Sequence, residues 1–226
     1  SDPPALGPQP DRPVPKDLNY AMWLGPAPDA PYTTARVHNP NDLKSRPGWM
    51  RISTYAQGMI ANWGAHLFDI AQWANNSELS GPVEVEGSGE FPKSLWNTLV
   101  NFSFRYRYGN GVEMSCRMEP NYHPYIEFYG TEGWVKVDGY PGTLTASKPA
   151  LLTHKPTEGQ VDFAATLEDK ADFIRGVRTG QPTLQPLEVG HRAISISQIS
   201  LIAATLGEKL TWDPQQEQFK DNNAAN

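Results

Sequence analysis

The sequence predicts an α+β fold, an open and mainly antiparallel β-sheet with helices packed on one face. Residues 83–138 alternate apolar and polar side chains with a period of two and turn twice, as consecutive hairpins do. Residues 58–74 repeat apolar side chains at three- and four-residue spacing, the period of a helix. Two further helical stretches follow near the end of the chain. One helix, several antiparallel strands and two helices pack as layers of helix on sheet.

Each element follows in chain order. Residues 1–48 hold 11 of the 21 prolines. Proline fixes φ and lacks an N–H, so this stretch is expected to be an extended arm and not a regular helix or central strand. Trp23, Leu24 and Tyr32 are its expected anchors, and Gly25-Pro26-Ala27-Pro28 turns it. In the 58–74 helix, Ile60, Trp63, Leu67, Ile70 and Ala74 form the apolar stripe, with Gly64 a mild penalty inside it. Val83 and Val85 then alternate with Glu84 and Glu86. Val100, Phe102, Phe104, Tyr106 and Tyr108 share one face of a strand, and Asn101, Ser103, Arg105 and Arg107 share the other. Gly109-Asn110-Gly111 turns the chain into a return strand from Val112 to Met118. A second hairpin turns at Gly130-Thr131-Glu132-Gly133, so the hairpins together read as a meander. A helix over 163–178 points Leu167, Ala171, Ile174 and Val177 inward and stops at Gly180. A last helix over 187–206 ends at Gly207, an expected left-handed cap. A short strand over 209–212 follows. The expected organisation is an arm (1–48), one α+β domain (49–214) and a polar tail (215–226).

Composition narrows the function classes. Hydrophobic content is 38% and aromatic content 11%, which suits a packed domain. The net charge of −6 and the absence of a basic run argue against nucleic-acid binding. The lone Cys116 alternates with Val112, Met114 and Met118 and reads as a core thiol, which leaves no internal disulfide and no cysteine zinc site. No apolar run reaches the roughly 18 residues needed to span a bilayer, and the N-terminus lacks the apolar core of a leader.

A second stripe on the 58–74 helix carries chemistry. Asn62, His66, Asp69 and Trp73 follow one another at spacings of four, three and four, so they are neighbours on one face. An imidazole titrates near neutral pH and can give and accept protons. In this arrangement Asp69 would hold one ring nitrogen of His66, and Asn62 would hydrogen-bond a substrate hydroxyl. The same spacing also fits a plain surface pair. Metal ligation is disfavoured, because no two histidines stand at i and i+4. There is no G-x-S-x-G elbow for a hydrolase. Trp49 suits either stacking on a sugar or packing down the chain, and Trp23 suits anchoring of the arm. No G-x-G-x-x-G turn is present: Gly87 and Gly89 begin one, but position 92 is proline and the flanks read as strand.

Several stretches resemble the Gfo/Idh/MocA family, the glucose–fructose oxidoreductase and inositol dehydrogenase group. They are Trp49-Met50-Arg51 with Gly58 to Asp69, Trp23-Leu24-Gly25-Pro26-Ala27-Pro28, Gly81 to Gly87, Gly130 to Trp134, and Val189-Gly190-His191-Arg192. The resemblance runs from about residue 17 to Trp212-Asp213-Pro214 and corresponds to the family's C-terminal domain, an open antiparallel sheet with helices on one face and no dinucleotide-binding domain. It implies NAD- or NADP-dependent chemistry at a sugar or polyol hydroxyl in a full-length parent, with no cofactor bound by this chain alone. It makes His66 the acid/base and places Asn62, Asp69, Arg51 and Trp49 with the substrate. The family often has an aspartate where Asn62 stands and paired glycines where Gln57-Gly58 stand. The resemblance further implies a homo-oligomer through the open sheet face, and a periplasmic protein exported folded or a cytoplasmic one. A sugar-binding or assembly module that keeps the fold without redox chemistry is the alternative. Glycoside cleavage through transient oxidation of a sugar carbon is a third.

Overall fold

The computed structural model describes residues 6–39, 41–42, 44–118, 123–139, 142–153, 155, 168–220 and 222–226. The chain divides into two compact units, Ser1–Asn121 with Ala193–Asn226, and Tyr122–Arg192. In order, the first contributes α1 (Tyr20–Leu24), a 3-10 turn (Gly48–Arg51), α2 (Met59–Ala74), β1 (Pro82–Glu90), β2 (Val100–Tyr108) and β3 (Glu113–Arg117). The second follows with β4 (Tyr125–Gly130), β5 (Gly133–Asp138), β6 (Thr143–Ala146), α3 (Pro149–Leu152) and α4 (Asp169–Thr179). α5 (Leu187–Leu206) begins in the second unit and from Ala193 onward belongs to the first, as do β7 (Leu210–Asp213) and β8 (Gln218–Lys220).

The first unit is a five-stranded antiparallel sheet in the order β3-β2-β1-β7-β8. Val85 of β1 pairs with Tyr106 of β2 and Leu210 of β7, and Phe104 of β2 pairs with Cys116 of β3. In β2 Phe102, Phe104, Tyr106 and Tyr108 are buried, while Asn101, Ser103, Arg105 and Arg107 are exposed, as the alternation predicts. Ile60 and Phe68 of α2 and Ile196, Ile199 and Ala203 of α5 cover that apolar face. Buried polar contacts tie the layers together. The Tyr106 hydroxyl lies 2.7 Å from Ser200 Oγ, and Ser197 Oγ donates to the Ile60 carbonyl at 2.8 Å. The Gln72 amide donates to the Ser77 and Ser80 carbonyls and accepts from the Tyr108 hydroxyl at 2.8 Å. Cys116 packs against this core, and burial pushes its thiol up to about 12.

The structure corrects several sequence expectations. The buried face of α2 is Ile60, Gly64, Phe68 and Gln72, not the Ile60-Trp63-Leu67-Ile70-Ala74 stripe. Gly64 is a packing requirement here: a Cβ on it would stand 2.9 Å from the Phe68 ring and 3.1 Å from Ser197 Oγ. The gap between prolines 15 and 26 lets the arm form α1, whose N-cap Asn19 accepts from Met22 N at 3.1 Å. The hairpins divide between two sheets, the second having the order β4-β5-β6. On α4, Ala171, Ile174 and Val177 are exposed; Phe163 and Leu167 lie outside the described residues. The buried residue of α4 is Asp172, which accepts from Leu184 N at 2.7 Å and from Arg175. The expected polar tail contains β8, whose Phe219 is buried against the core and pairs with Trp212.

Candidate functional site

The segment that leads into α2 is held from three sides. The Arg51 carbonyl accepts from Asn97 N at 2.9 Å and Thr98 N at 3.2 Å, and Asn97 Oδ1 accepts from Ser53 N at 2.8 Å. Ile52 is buried, and its carbonyl accepts from both Tyr55 N and Ala56 N. Gly58 then caps α2 at φ +71° and ψ −151°, a conformation open essentially to glycine alone. Its backbone lies so close to Thr98 that an added Cβ would stand 2.5 Å from Oγ1.

These constraints shape a cleft of about 530 Å3 at the N-terminus of α2. Trp49, Ser53, Thr54, Tyr55, Gln57 and Asn62 supply its functional side chains, and none of its lining residues is charged. Trp49 is 37% exposed, a large aromatic surface left open to the cleft. Tyr55 is set by the arm: the Trp23 ring meets it edge-on at 5.2 Å, and Arg36 Nη1 donates to its hydroxyl at 3.3 Å. Tyr20 stacks on Trp23 at 5.6 Å and meets buried Tyr32 edge-on at 5.5 Å within the arm, and Trp23 ties the arm to Tyr55. Gln57 is held across the fold by Gln198 of α5. Gln57 Nε2 donates to Gln198 Oε1 at 2.7 Å, and Gln198 Nε2 donates back to Gln57 Oε1 at 2.8 Å.

The structure therefore brings Trp49 and Asn62 together in one cleft. His66 and Asp69 lie further along the same helix. His66 is exposed, four residues and so about one turn beyond Asn62, and its ring contacts Trp63 at 5.7 Å. Asp69 is half-buried; burial raises its carboxyl above the usual range, Glu78 adds to the rise, and His66 opposes it. No hydrogen bond joins His66 to Asp69, so they are neighbours by charge only. Arg51 faces the scaffold. Its guanidinium lies over the Trp96 ring at 4.4 Å, and Nη1 donates to the Arg46 carbonyl at 3.1 Å. Sequence reasoning missed Tyr55 and the reach of Gln57 to Gln198; the only local signal was a glutamine beside Gly58.

The arrangement combines an aromatic wall with neutral donors and acceptors, a chemistry suited to hydroxyl-bearing ligands. Among the described residues no group of three or more His, Cys, Asp or Glu side chains could hold a metal ion. Gly87 and Gly89 do not form a phosphate-binding turn. Both lie inside β1, where a Cβ would collide with Phe104 and Ser103 or with Leu99 and Phe102. No described helix is long and apolar enough to cross a membrane.

A family model described as the C-terminal α/β domain of the oxidoreductase family, of the GFO/IDH/MocA type, matches residues 7–226. The chain belongs to the Gfo/Idh/MocA oxidoreductase family. Its sheet with helices on one face is the architecture that this Gfo/Idh/MocA membership calls for. Two solved structures similar to it are an aldose–aldose oxidoreductase from Caulobacter crescentus complexed with glycerol and GenD2 from gentamicin A biosynthesis in complex with NAD. The first is 16% identical with a TM-score of 0.51, covering 72% of this chain and 50% of its own. The second is 14% identical with a TM-score of 0.54, covering 75% and 52%. The chain thus spans about half the length of the solved structures it matches. No curated protein matches it.

Proposed function

We propose that the chain is the substrate-binding and oligomerisation domain of an NAD(P)-dependent oxidoreductase acting on a sugar or polyol hydroxyl. The observation that carries this reading is the uncharged, aromatic-walled cleft at the start of the helix that bears His66. In it Trp49 covers the C–H face of the ligand and Asn62 orients a hydroxyl. His66, exposed one turn on, takes or returns the hydroxyl proton, and Asp69 steadies the charged imidazole. Arg51 contributes from behind, holding the backbone that presents Trp49. A nicotinamide held by a nucleotide-binding domain would supply the hydride chemistry. The glycerol and NAD complexes of the two similar folds support these ligand classes.

The open sheet face is the proposed contact between subunits. It is polar and outward, with Arg105 exposed and Glu84 paired to both Arg107 and Lys209. Sedimentation of wild type against Arg105→Glu tests it: a smaller species is expected for the variant, and an unchanged one excludes this face.

The test of function uses this chain joined to its nucleotide-binding domain. His66→Ala is expected to keep the fold, because the side chain is exposed, and to lower turnover by about 100-fold or more. Wild-type turnover in the variant removes His66 from the reaction. A second reading, a sugar-binding or assembly module without redox chemistry, rests on Gly87 and Gly89 being packed within a strand. That reading requires ligand binding at the cleft with no ligand-dependent reduction of NAD(P).

A further inference from the structure

We infer that Trp63 is a positioning residue for the proposed reaction: its ring backs the His66 imidazole and turns it toward Asn62, while leaving both ring nitrogens open for proton transfer. The inference rests on the reading of His66 as the acid/base.

The rotation of α2 leaves Trp63 without a place in the core. Ile60, Gly64, Phe68 and Gln72 face inward. Trp63 is half-buried to one side of them, outside the hydrophobic cluster. A large ring that the core does not use makes its contacts elsewhere. The Trp63 ring meets the His66 ring at a centroid distance of 5.7 Å and a tilt of 57°, within the range of favourable aromatic pairs.

Helix geometry puts this contact beside the cleft. Asn62 and Trp63 stand roughly 40° and 60° to either side of His66, about one turn nearer the N-terminus. Side chains on a helix tilt toward that end, so the imidazole leans over the turn that carries them and toward the cleft that Asn62 lines. Trp63 occupies one flank, which leaves the Asn62 flank for the ring and for a hydroxyl held by that amide. Among the described residues no hydrogen bond fixes either nitrogen of His66, and Asp69 acts on it through charge. An exposed imidazole otherwise spreads over several rotamers, and proton transfer needs a nitrogen within hydrogen-bond reach of the hydroxyl. A hydrogen bond would orient the ring by occupying a nitrogen, whereas an aromatic neighbour orients it and occupies neither.

Trp63 is itself held. The Arg46 guanidinium lies over its ring at 6.0 Å, and Arg46 Nη1 donates to the Sδ of Met59, one turn earlier on the same helix, at 3.0 Å. The Arg46 carbonyl accepts from Arg51, so the stretch that presents Trp49 to the cleft also carries the residue behind Trp63.

The test joins two measurements. In the isotope-labelled chain the His66 ring-proton signals are expected to be displaced by the Trp63 ring. Trp63→Leu should move them to the values of an exposed histidine, and Trp63→Phe should restore most of the displacement, with the far-ultraviolet dichroism unchanged in both. In the chain joined to its nucleotide-binding domain, turnover is followed by NAD(P) reduction with myo-inositol, D-glucose and D-galactose as probes. Trp63→Leu is expected to lower kcat by about tenfold or more with KM within about twofold of wild type, because a misaimed proton acceptor slows the chemistry without weakening binding. Trp63→Phe should recover most of kcat. Unmoved His66 signals in Trp63→Leu, or a wild-type kcat in that variant beside a disabled His66→Ala, overturn the inference and leave the His66 reading standing. Loss of the fold in Trp63→Leu would place Trp63 in the core and overturn it too. If no probe is turned over, or His66→Ala matches wild type, the His66 reading falls and the inference falls with it.

Discussion

Gly58→Ala is expected to destabilise the first unit by about 2–6 kcal/mol, and the structure separates two contributions. The first is conformational. Gly58 sits at φ +71° and ψ −151°, where an L-residue pays roughly 1–3 kcal/mol in backbone strain. The second is steric. The new methyl group would stand 2.5 Å from Thr98 Oγ1 and 2.6 Å from Thr98 Cβ, against the usual 3.5–4.0 Å for such atoms. Thr98 is buried, and its N–H is tied to the Arg51 carbonyl at 3.2 Å, so it has little room to retreat. Overpacking of this kind costs about 1–3 kcal/mol. Urea unfolding followed by far-ultraviolet dichroism measures the total. A cycle with Thr98→Gly divides it, because that change removes both colliding atoms and leaves the strain in place. In the Thr98→Gly background, Gly58→Ala should cost only the strain part. A Gly58→Ala variant within about 0.5 kcal/mol of wild type would refute the whole argument. Equal costs in the two backgrounds would refute its steric half.

Three further outcomes follow from the core and the open sheet face. Phe68→Ala empties a site 3% exposed between α2, β2 and α5, and should cost about 3–5 kcal/mol by chemical denaturation. Gln72→Leu strands the Ser77 and Ser80 carbonyls and should cost about 1–3 kcal/mol, whereas a cost near zero would mean that water replaces the amide. Glu84, held by Arg107 and Lys209, has its carboxyl lowered from 4.5 to about 2. A carboxyl lowered on folding stabilises above its unfolded value and loses that contribution as the pH falls through the folded one. The stability advantage of wild type over Glu84→Gln should therefore be full at pH 6 and fade between about pH 4.5 and pH 2. A difference that does not change across that window would show that the ion pairs are not its source.

What could be read from the sequence tracks the physical range of each signal. The alternation in β2 reports burial directly, because a strand with one covered face must place every second side chain in the core. The position of α2 was equally plain, but its rotation was not. Apolar periodicity favours Trp63 and Leu67, whereas the true core face includes Gly64, which lets Ser197 approach, and Gln72, whose amide is satisfied by three partners. Neither counts as apolar, so a hydrophobic stripe cannot find them. On α4 the apolar positions are exposed and an aspartate is buried, because Asp172 binds the Leu184 amide and Arg175. At the candidate site, the sequence singles out Trp49 and Asn62, and the two line one cleft. The Gln57–Gln198 pair spans 141 positions, and nothing local announces a contact of that range.

Tyr55 gives the proline-rich arm a thermodynamic role. The same ring forms part of the cleft and receives Trp23 and Arg36 from the arm. A ligand in the cleft that displaced this ring would couple to docking of the arm, and such linkage is reciprocal. It would change how readily the arm lifts away by the same factor that lifting the arm changes the ligand's affinity. Hydrogen exchange at the arm's own amides, such as Arg12 N bonded to the Tyr32 carbonyl at 3.0 Å, would then report on a ligand that never touches them.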